Sequence, residues 1–147
     1  MPPILSPALS RSFGGSRETP AAPERIWHLW TDVPKWKDWD TGLRDARISG
    51  SFTVGAVGEI VDLGGREVPF RITACTPGSS YTYRVALPLA ALLVTRSLRG
   101  SADRTTFTHE VRFVGLLGYF FAFVLGRNFQ KLLPGVLDNV KRLAETP

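Results

Sequence analysis

Two side chains in this 147-residue chain stand out for the chemistry they could do: Arg96 in LLVTRSLRG and His109 in RTTFTHEVRF. An imidazole titrates near pH 6.5 and can take or give a proton close to neutrality. A guanidinium is a fixed cation and needs a partner if it faces inward. Strand alternation groups His109 with Phe107, Val111 and Phe113, and Arg96 with Val94 and Leu98. A hairpin turning near RGSAD then sets Arg96 and His109 side by side across the two strands. The partner of Arg96 is either a protein carboxylate, with Asp62 and Glu59 as candidates, or a ligand carboxylate, enolate or phosphate. Beside that cation the imidazole is biased toward its neutral form. A neutral His109 either holds a strand or a water by hydrogen bonding, or accepts a proton from an acidic methylene.

The neighbouring strands supply a wall. In SYTYRVAL, Tyr81, Tyr83 and Val85 share a face; in VPFRITA, Val68, Phe70, Ile72 and Ala74 do. Each tyrosine presents an apolar ring and a hydroxyl that can orient a ligand. All four tryptophans lie in IWHLWTDVPKWKDWD, residues 26 to 40. Trp30 belongs to the buried stripe Ile26, Leu29, Trp30, Val33. Trp36 and Trp39 either pin a short helix to the sheet or form a lip over a cavity mouth. His28 is expected at the surface, and Cys75 as an ordinary strand residue.

These side chains need elements to position them. Residues 1–9 read as a loose lead-in, and 10–147 as one domain. A first strand is expected over residues 10 to 19, weakened by Gly14-Gly15, which suggest a bulge. Pro23 and Glu24 open a helix; Pro34 interrupts it, and Asp32 can cap a second short helix. From about residue 42 to 114, six β-rich runs alternate with turn residues and imply an antiparallel meander. A long terminal helix follows, with Leu117, Phe120, Phe121, Val124 and Leu125 extending the stripe of Phe129, Leu132, Leu133, Val136, Leu137, Val140 and Leu143. Pro134 should kink it without ending it. A sheet with one apolar face must be covered, and this helix is the available cover. The expected class is α+β: a curved antiparallel sheet of about seven strands around a long C-terminal helix, with two short helices after strand 1.

Composition narrows the function classes. One cysteine excludes an internal disulfide and suits a reducing compartment; with two histidines it makes a multi-ligand zinc site unexpected. The net charge of +5 invites a nucleic-acid footprint, but fourteen of the eighteen basic residues are scattered arginines, and no stripe emerges. The stretch GLLGYFFAFVLG is too short to span a membrane, which needs about 20 residues. No nucleophile turn and no phosphate-binding glycine pattern is present, so no cofactor is expected. A cytoplasmic protein without stable membrane insertion follows as the expectation. Nothing in the patterning sets an oligomeric state.

APERIWHLWTDVPKWKDWD, a β-meander, and TFTHEVRFVG running into a long helix together resemble the START-related SRPBCC superfamily, in its polyketide cyclase/dehydrase-like branch. The likeness spans roughly residues 10 to 145. It implies a helix-grip fold that holds a hydrophobic small molecule between sheet and helix. The residues expected at such a cavity are Trp36, Trp39, Phe70, Ile72, Tyr81, Tyr83, Val94, Arg96, Phe107, His109, Phe120, Phe121 and Val124. Three readings of function stand: a binding domain for a lipid or polyketide-like molecule; a cyclase or dehydrase in which His109 moves protons and Arg96 stabilises enolate charge; and membrane-surface contact through GYFFAFVLG with Arg127 and Lys131 nearby.

Overall fold

A computed structural model describes residues 11–101 and 103–147. The expected lead-in at residues 1–9 lies outside them. The element order is β1 (Ser12–Thr19), α1 (Pro23–Thr31), a 3₁₀ helix (Val33–Asp38), β2 (Leu43–Ile48), β3 (Val57–Asp62), β4 (Glu67–Thr76), β5 (Ser80–Leu87), β6 (Ala90–Ser101), β7 (Arg104–Val114) and α2 (Gly118–Glu145). Seven antiparallel strands run in the order β1-β7-β6-β5-β4-β3-β2. The meander β2 to β7 follows from short links between strands; β1 then closes onto β7, leaving β1 and β2 as the edges. The sheet curls as a half-barrel around α2, which is the helix-grip arrangement.

Four local readings change. Gly14 and Gly15 make no bulge: β1 keeps unbroken register with β7, from Ser12 opposite Arg112 to Thr19 opposite Thr105. Gly15 instead makes room, since a Cβ there would sit 2.7 Å from Leu137 Cδ1 of α2. In β4 the register shifts between Ile72 and Ala74, so Ala74 turns outward and leaves the face it was expected to share with Phe70 and Ile72. Asp32 holds the N-cap position of the 3₁₀ helix with its backbone only; its carbonyl accepts the Lys35 N–H at 3.0 Å, and its side chain makes no capping bond. Helix α2 runs through Pro134 without a break.

The fourth change is larger. Phe120 and Val124 are exposed and Phe121 is only half-buried, although the apolar stripe predicted all three inside. The first half of α2 buries Gly118, Ala122 and Gly126 instead, one small residue per turn. The reason is close approach. A Cβ on Gly126 would lie 2.4 Å from Phe13 Cζ, so β1 comes too near for anything larger. The large aromatics are left to point outward.

The tryptophan cluster is a packed corner. Trp30, Trp36 and Trp39 are buried. Trp36 Nε1 donates to the Trp30 carbonyl at 2.8 Å, and Trp39 Nε1 to the Leu29 carbonyl at 3.3 Å. These bonds tie the 3₁₀ helix back onto α1. Trp36 stacks on Phe70 and Tyr83, and Asn139 of α2 holds the Trp39 carbonyl at 3.2 Å. A lip over a cavity mouth would be exposed; these rings are not.

Candidate functional site

Three strands carry the polar core of the site. Across β5, β6 and β7, Tyr81 faces Arg96 and Arg96 faces His109, so the three share one level of the sheet. Gly15 of β1 completes that level opposite His109. Two residues along each strand, on the same face, come Tyr83, Val94 and Val111, and then Val85, Leu92 and Phe113. A polar row therefore gives way to an apolar wall.

Arg96 is held in an aromatic box. Its guanidinium carbon lies 4.9 Å from the ring centre of Trp36, 4.8 Å from Trp39, 5.3 Å from Tyr83 and 5.7 Å from Tyr81. Ring quadrupoles stabilise such a cation. Arg96 Nη1 donates to the Tyr81 hydroxyl oxygen. Arg96 Nη2 sits 3.9 Å from Asp40 Oδ2, an ion pair too long to be a hydrogen bond. Arg96 Nε is buried with no partner. The carboxylate beside Arg96 is thus Asp40, not Asp62 or Glu59; Asp62 pairs with Arg66, and Glu59 with Arg47.

Burial shapes the charges here. It raises the Asp40 carboxyl above its ordinary value, only partly offset by Arg96 and by the Gly42 N–H, which Asp40 Oδ1 accepts at 2.9 Å. Burial also drives the His109 imidazole well below its ordinary value, and the Arg96 cation adds to that. His109 is neutral at pH 7, and its Nε2 has no hydrogen-bond partner. Trp30 and Trp39 pack against its ring at centroid distances of 5.5 and 5.8 Å. Burial raises the Tyr81 and Tyr83 phenols, more than Arg96 lowers them, so both stay protonated.

Between this sheet face and α2 lies a cavity of about 320 Å³. Tyr83, Val94, Arg96 and His109 line it, as their parity predicted. Trp36, Trp39, Phe70, Ile72, Tyr81 and Phe107 do not; Tyr81 ends the polar row away from the cavity, and the other five are packed in the buried core. Phe120, Phe121 and Val124 lie outside it too, for the reason given above. Helix α2 contributes Leu125, Asn128, Phe129, Leu132, Leu133 and Val136 instead. Asp62, Arg66 and Asn128 mark the solvent-facing rim, since each lines the cavity and retains exposure. Asp40 is the residue the sequence reading missed. It follows the 3₁₀ helix in WKDWD, where an acidic residue reads as ordinary surface, and no local period marks it as an inward group.

A curled seven-stranded antiparallel sheet gripping a long C-terminal helix defines the helix-grip class. A family model described as polyketide cyclase / dehydrase and lipid transport matches residues 10–145, and this chain belongs to that family. No curated protein matches the chain. Among solved structures it is similar to a protein from Arthrobacter aurescens, at 17% identity and a TM-score of 0.70 over 95% of this chain and 89% of that one. It is similar to the di-domain ARO/CYC StfQ of the steffimycin biosynthetic pathway, at 13% identity and a TM-score of 0.74 over 94% of this chain and 51% of StfQ. It is also similar to DynU16, described as a putative protein in the dynemicin biosynthetic locus, at 19% identity and a TM-score of 0.70 over 93% of this chain and 48% of that one. The chain spans about half the length of these last two proteins. At such identities the likeness is one of fold.

Proposed function

We propose that the cavity binds a compact lipophilic molecule whose oxygen-bearing end meets Arg96 and His109. The observation that carries this reading is a buried guanidinium among the residues lining a mainly apolar cavity. A fixed cation so placed favours a carboxylate, enolate or phenolate at that end. Val85, Leu92, Val94, Val111, Phe129 and Leu133 supply the apolar remainder, where affinity comes from desolvation at about 25 cal/mol per Å². The volume of about 320 Å³ sits at the low end of the range for ligand pockets, about 300–1,000 Å³. It suits one or two fused rings or a short acyl chain, not a whole phospholipid. The family description and the likeness to StfQ support this ligand class.

The test is native mass spectrometry and calorimetry with paired probes: naphthoic and decanoic acids against naphthalenemethanol and decanol. A one-to-one adduct with the acids preferred is expected, and Arg96→Met should erase the preference. No adduct with any probe overturns the reading.

A second reading rests on the neutral imidazole facing a fixed cation. The imidazole takes a proton from the carbon between two carbonyls, and Arg96 stabilises the enolate oxygen. The enolate carbon then attacks a second carbonyl, closing a ring, and the imidazolium returns its proton to the new alkoxide. Deuterium exchange into the central carbon of a 1,3-diketone, followed by NMR, tests the first step. Exchange that is unchanged in His109→Gln removes this reading.

A further inference from the structure

We propose that the outward face of the first half of α2, together with the β5–β6 turn, docks on the surface of an anionic lipid bilayer. The proposal takes its purpose from the cavity reading, but its test does not depend on that reading.

The face is apolar where water should favour polar groups. Leu116 is 84% exposed, Phe123 73% and Leu89 68%, and Tyr119, Phe120 and Val124 are each at least half exposed. Contiguous exposed apolar residues mark interaction surfaces. At about 100° per residue, Phe120, Phe123 and Val124 project from one side of α2. Arg127 and Lys131, both exposed, continue that same side over the next two turns. This is the pattern of an interfacial helix: aromatic and aliphatic side chains for the acyl boundary, cations for the headgroups. No Asp or Glu occurs from Val111 to Leu137, while Arg112, Arg127 and Lys131 do. Arg11 adds a cation 4.7 Å over the Tyr119 ring.

The second segment is held in place. The Leu117 N–H donates to the Leu89 carbonyl at 3.0 Å, fastening the β5–β6 turn to the start of α2. Leu89 has φ 53°, in the left-handed region that leucine disfavours. A leucine that is backbone-strained and 68% exposed packs little of its surface against this chain, and it fits a prong that enters a bilayer.

Charge selects the bilayer over a second copy of the chain. A two-fold dimer on this face would bury Arg127 and Lys131 of both copies in an interface to which this helix segment contributes no compensating acid. Contact with the surface is the right mode, because among the described residues no helix is long and apolar enough to cross a membrane. The position also makes sense of the cavity. Leu87 and Leu125 line it, while Leu89, two residues from Leu87, and Val124, next to Leu125, belong to the exposed face. A docked molecule holds the Leu87 and Leu125 side of the cavity next to the bilayer.

Vesicle co-sedimentation tests this with phosphatidylcholine alone and with an equal mixture of phosphatidylcholine and phosphatidylglycerol. The protein should pellet with the mixed vesicles, and added salt should weaken binding. Phe123→Asp with Leu89→Asp should reduce partitioning roughly tenfold or more, and so should Arg127→Glu with Lys131→Glu. All four side chains are exposed, and circular dichroism of each variant checks the fold. Absence of co-sedimentation with either vesicle overturns the proposal. So does a solution dimer, seen by sedimentation velocity, that Phe123→Asp dissociates, because the face is then a self-interface. Naphthoic acid binding measured on the same variants separates the two proposals: uptake retained with docking lost leaves the cavity reading standing, and the reverse result leaves only docking.

Discussion

Arg96 sits directly across the β6–β7 pair from His109, so a permanent cation and an imidazole occupy one level of the sheet. The neighbouring strand places Tyr81 at the same level, and Asp40 approaches from the end of the tryptophan corner. The four groups are interdependent, and removing one changes what the others must do.

Arg96→Ala strips Tyr81 of its donor and leaves the half-buried Asp40 without its cation. Loss of one member of a buried pair costs about 3–5 kcal/mol. Here the 3.9 Å separation and the partial exposure of Asp40 reduce the expectation to about 2–4 kcal/mol. Asp40→Asn in the Arg96→Ala background should recover part of that loss. Urea unfolding of the two singles and the double gives the coupling; strictly additive losses would mean the pair does not interact.

The charge state of His109 makes stability depend on pH with a definite sign. Its folded pKa lies well below its ordinary value, so the unfolded chain binds a proton near pH 6.5 that the folded chain refuses. Stability therefore falls as the pH drops below about 6.5, by up to about 1.4 kcal/mol per pH unit. Asp40 acts in the opposite direction. Its folded pKa is raised from 3.8, so acidification between that value and its folded pKa favours the folded state. Urea midpoints from about pH 8 to about pH 5 should fall less steeply for His109→Gln than for the unmodified protein. Identical slopes would contradict a neutral buried imidazole.

Val94→Phe offers a way to fill the cavity. Overpacking a dense core typically costs about 1–3 kcal/mol. Val94 borders open volume, so the larger ring should change stability by less than about 1 kcal/mol. Calorimetry should show naphthoic acid binding weakened by more than about tenfold. A large loss of stability would mean that the space collapses in solution.

Gly58→Ala probes the opposite situation. A Cβ at that position would lie 2.4 Å from both the Arg47 carbonyl oxygen and Phe70 Cζ. The backbone contact cannot yield by a rotamer change, so a loss of about 1–3 kcal/mol is expected in urea unfolding. An unchanged midpoint would show that β2 and β3 can separate freely.

Leu89→Asn separates stability from docking. Asparagine tolerates the left-handed region far better than leucine, so relief of the strain at φ 53° should stabilise the protein by about 0.5–1 kcal/mol. The thermal midpoint should rise while vesicle binding weakens. A lower midpoint would show that the Leu89 side chain contributes packing.

Much of the site was legible before any coordinates because it depends on local rules. Strand alternation put Tyr83, Val94, Arg96 and His109 on the inner face, and a short hairpin brought Arg96 and His109 together. The tryptophan stripe placed Trp30 in the core. These inferences use neighbours within one strand or across one turn, where spacing alone sets direction.

Three features escape those rules. In α2 the apolar residues from Leu116 to Leu125 surround the helix, so period 3.6 cannot choose a face; the approach of Phe13 to Gly126 chooses it. In β4 a register shift after Ile72 reversed the parity that alternation assumes. Asp40 meets Arg96 only because the 3₁₀ helix folds back on α1 through the indole bonds of Trp36 and Trp39. Alternation and turn length settle order, pairing and the inward set of each hairpin, since they act over a few residues. Which helix face docks, which carboxylate answers the buried cation and how much volume stays empty are decided by packing, because close contact between remote segments is a property of the assembled chain and leaves no period in the sequence.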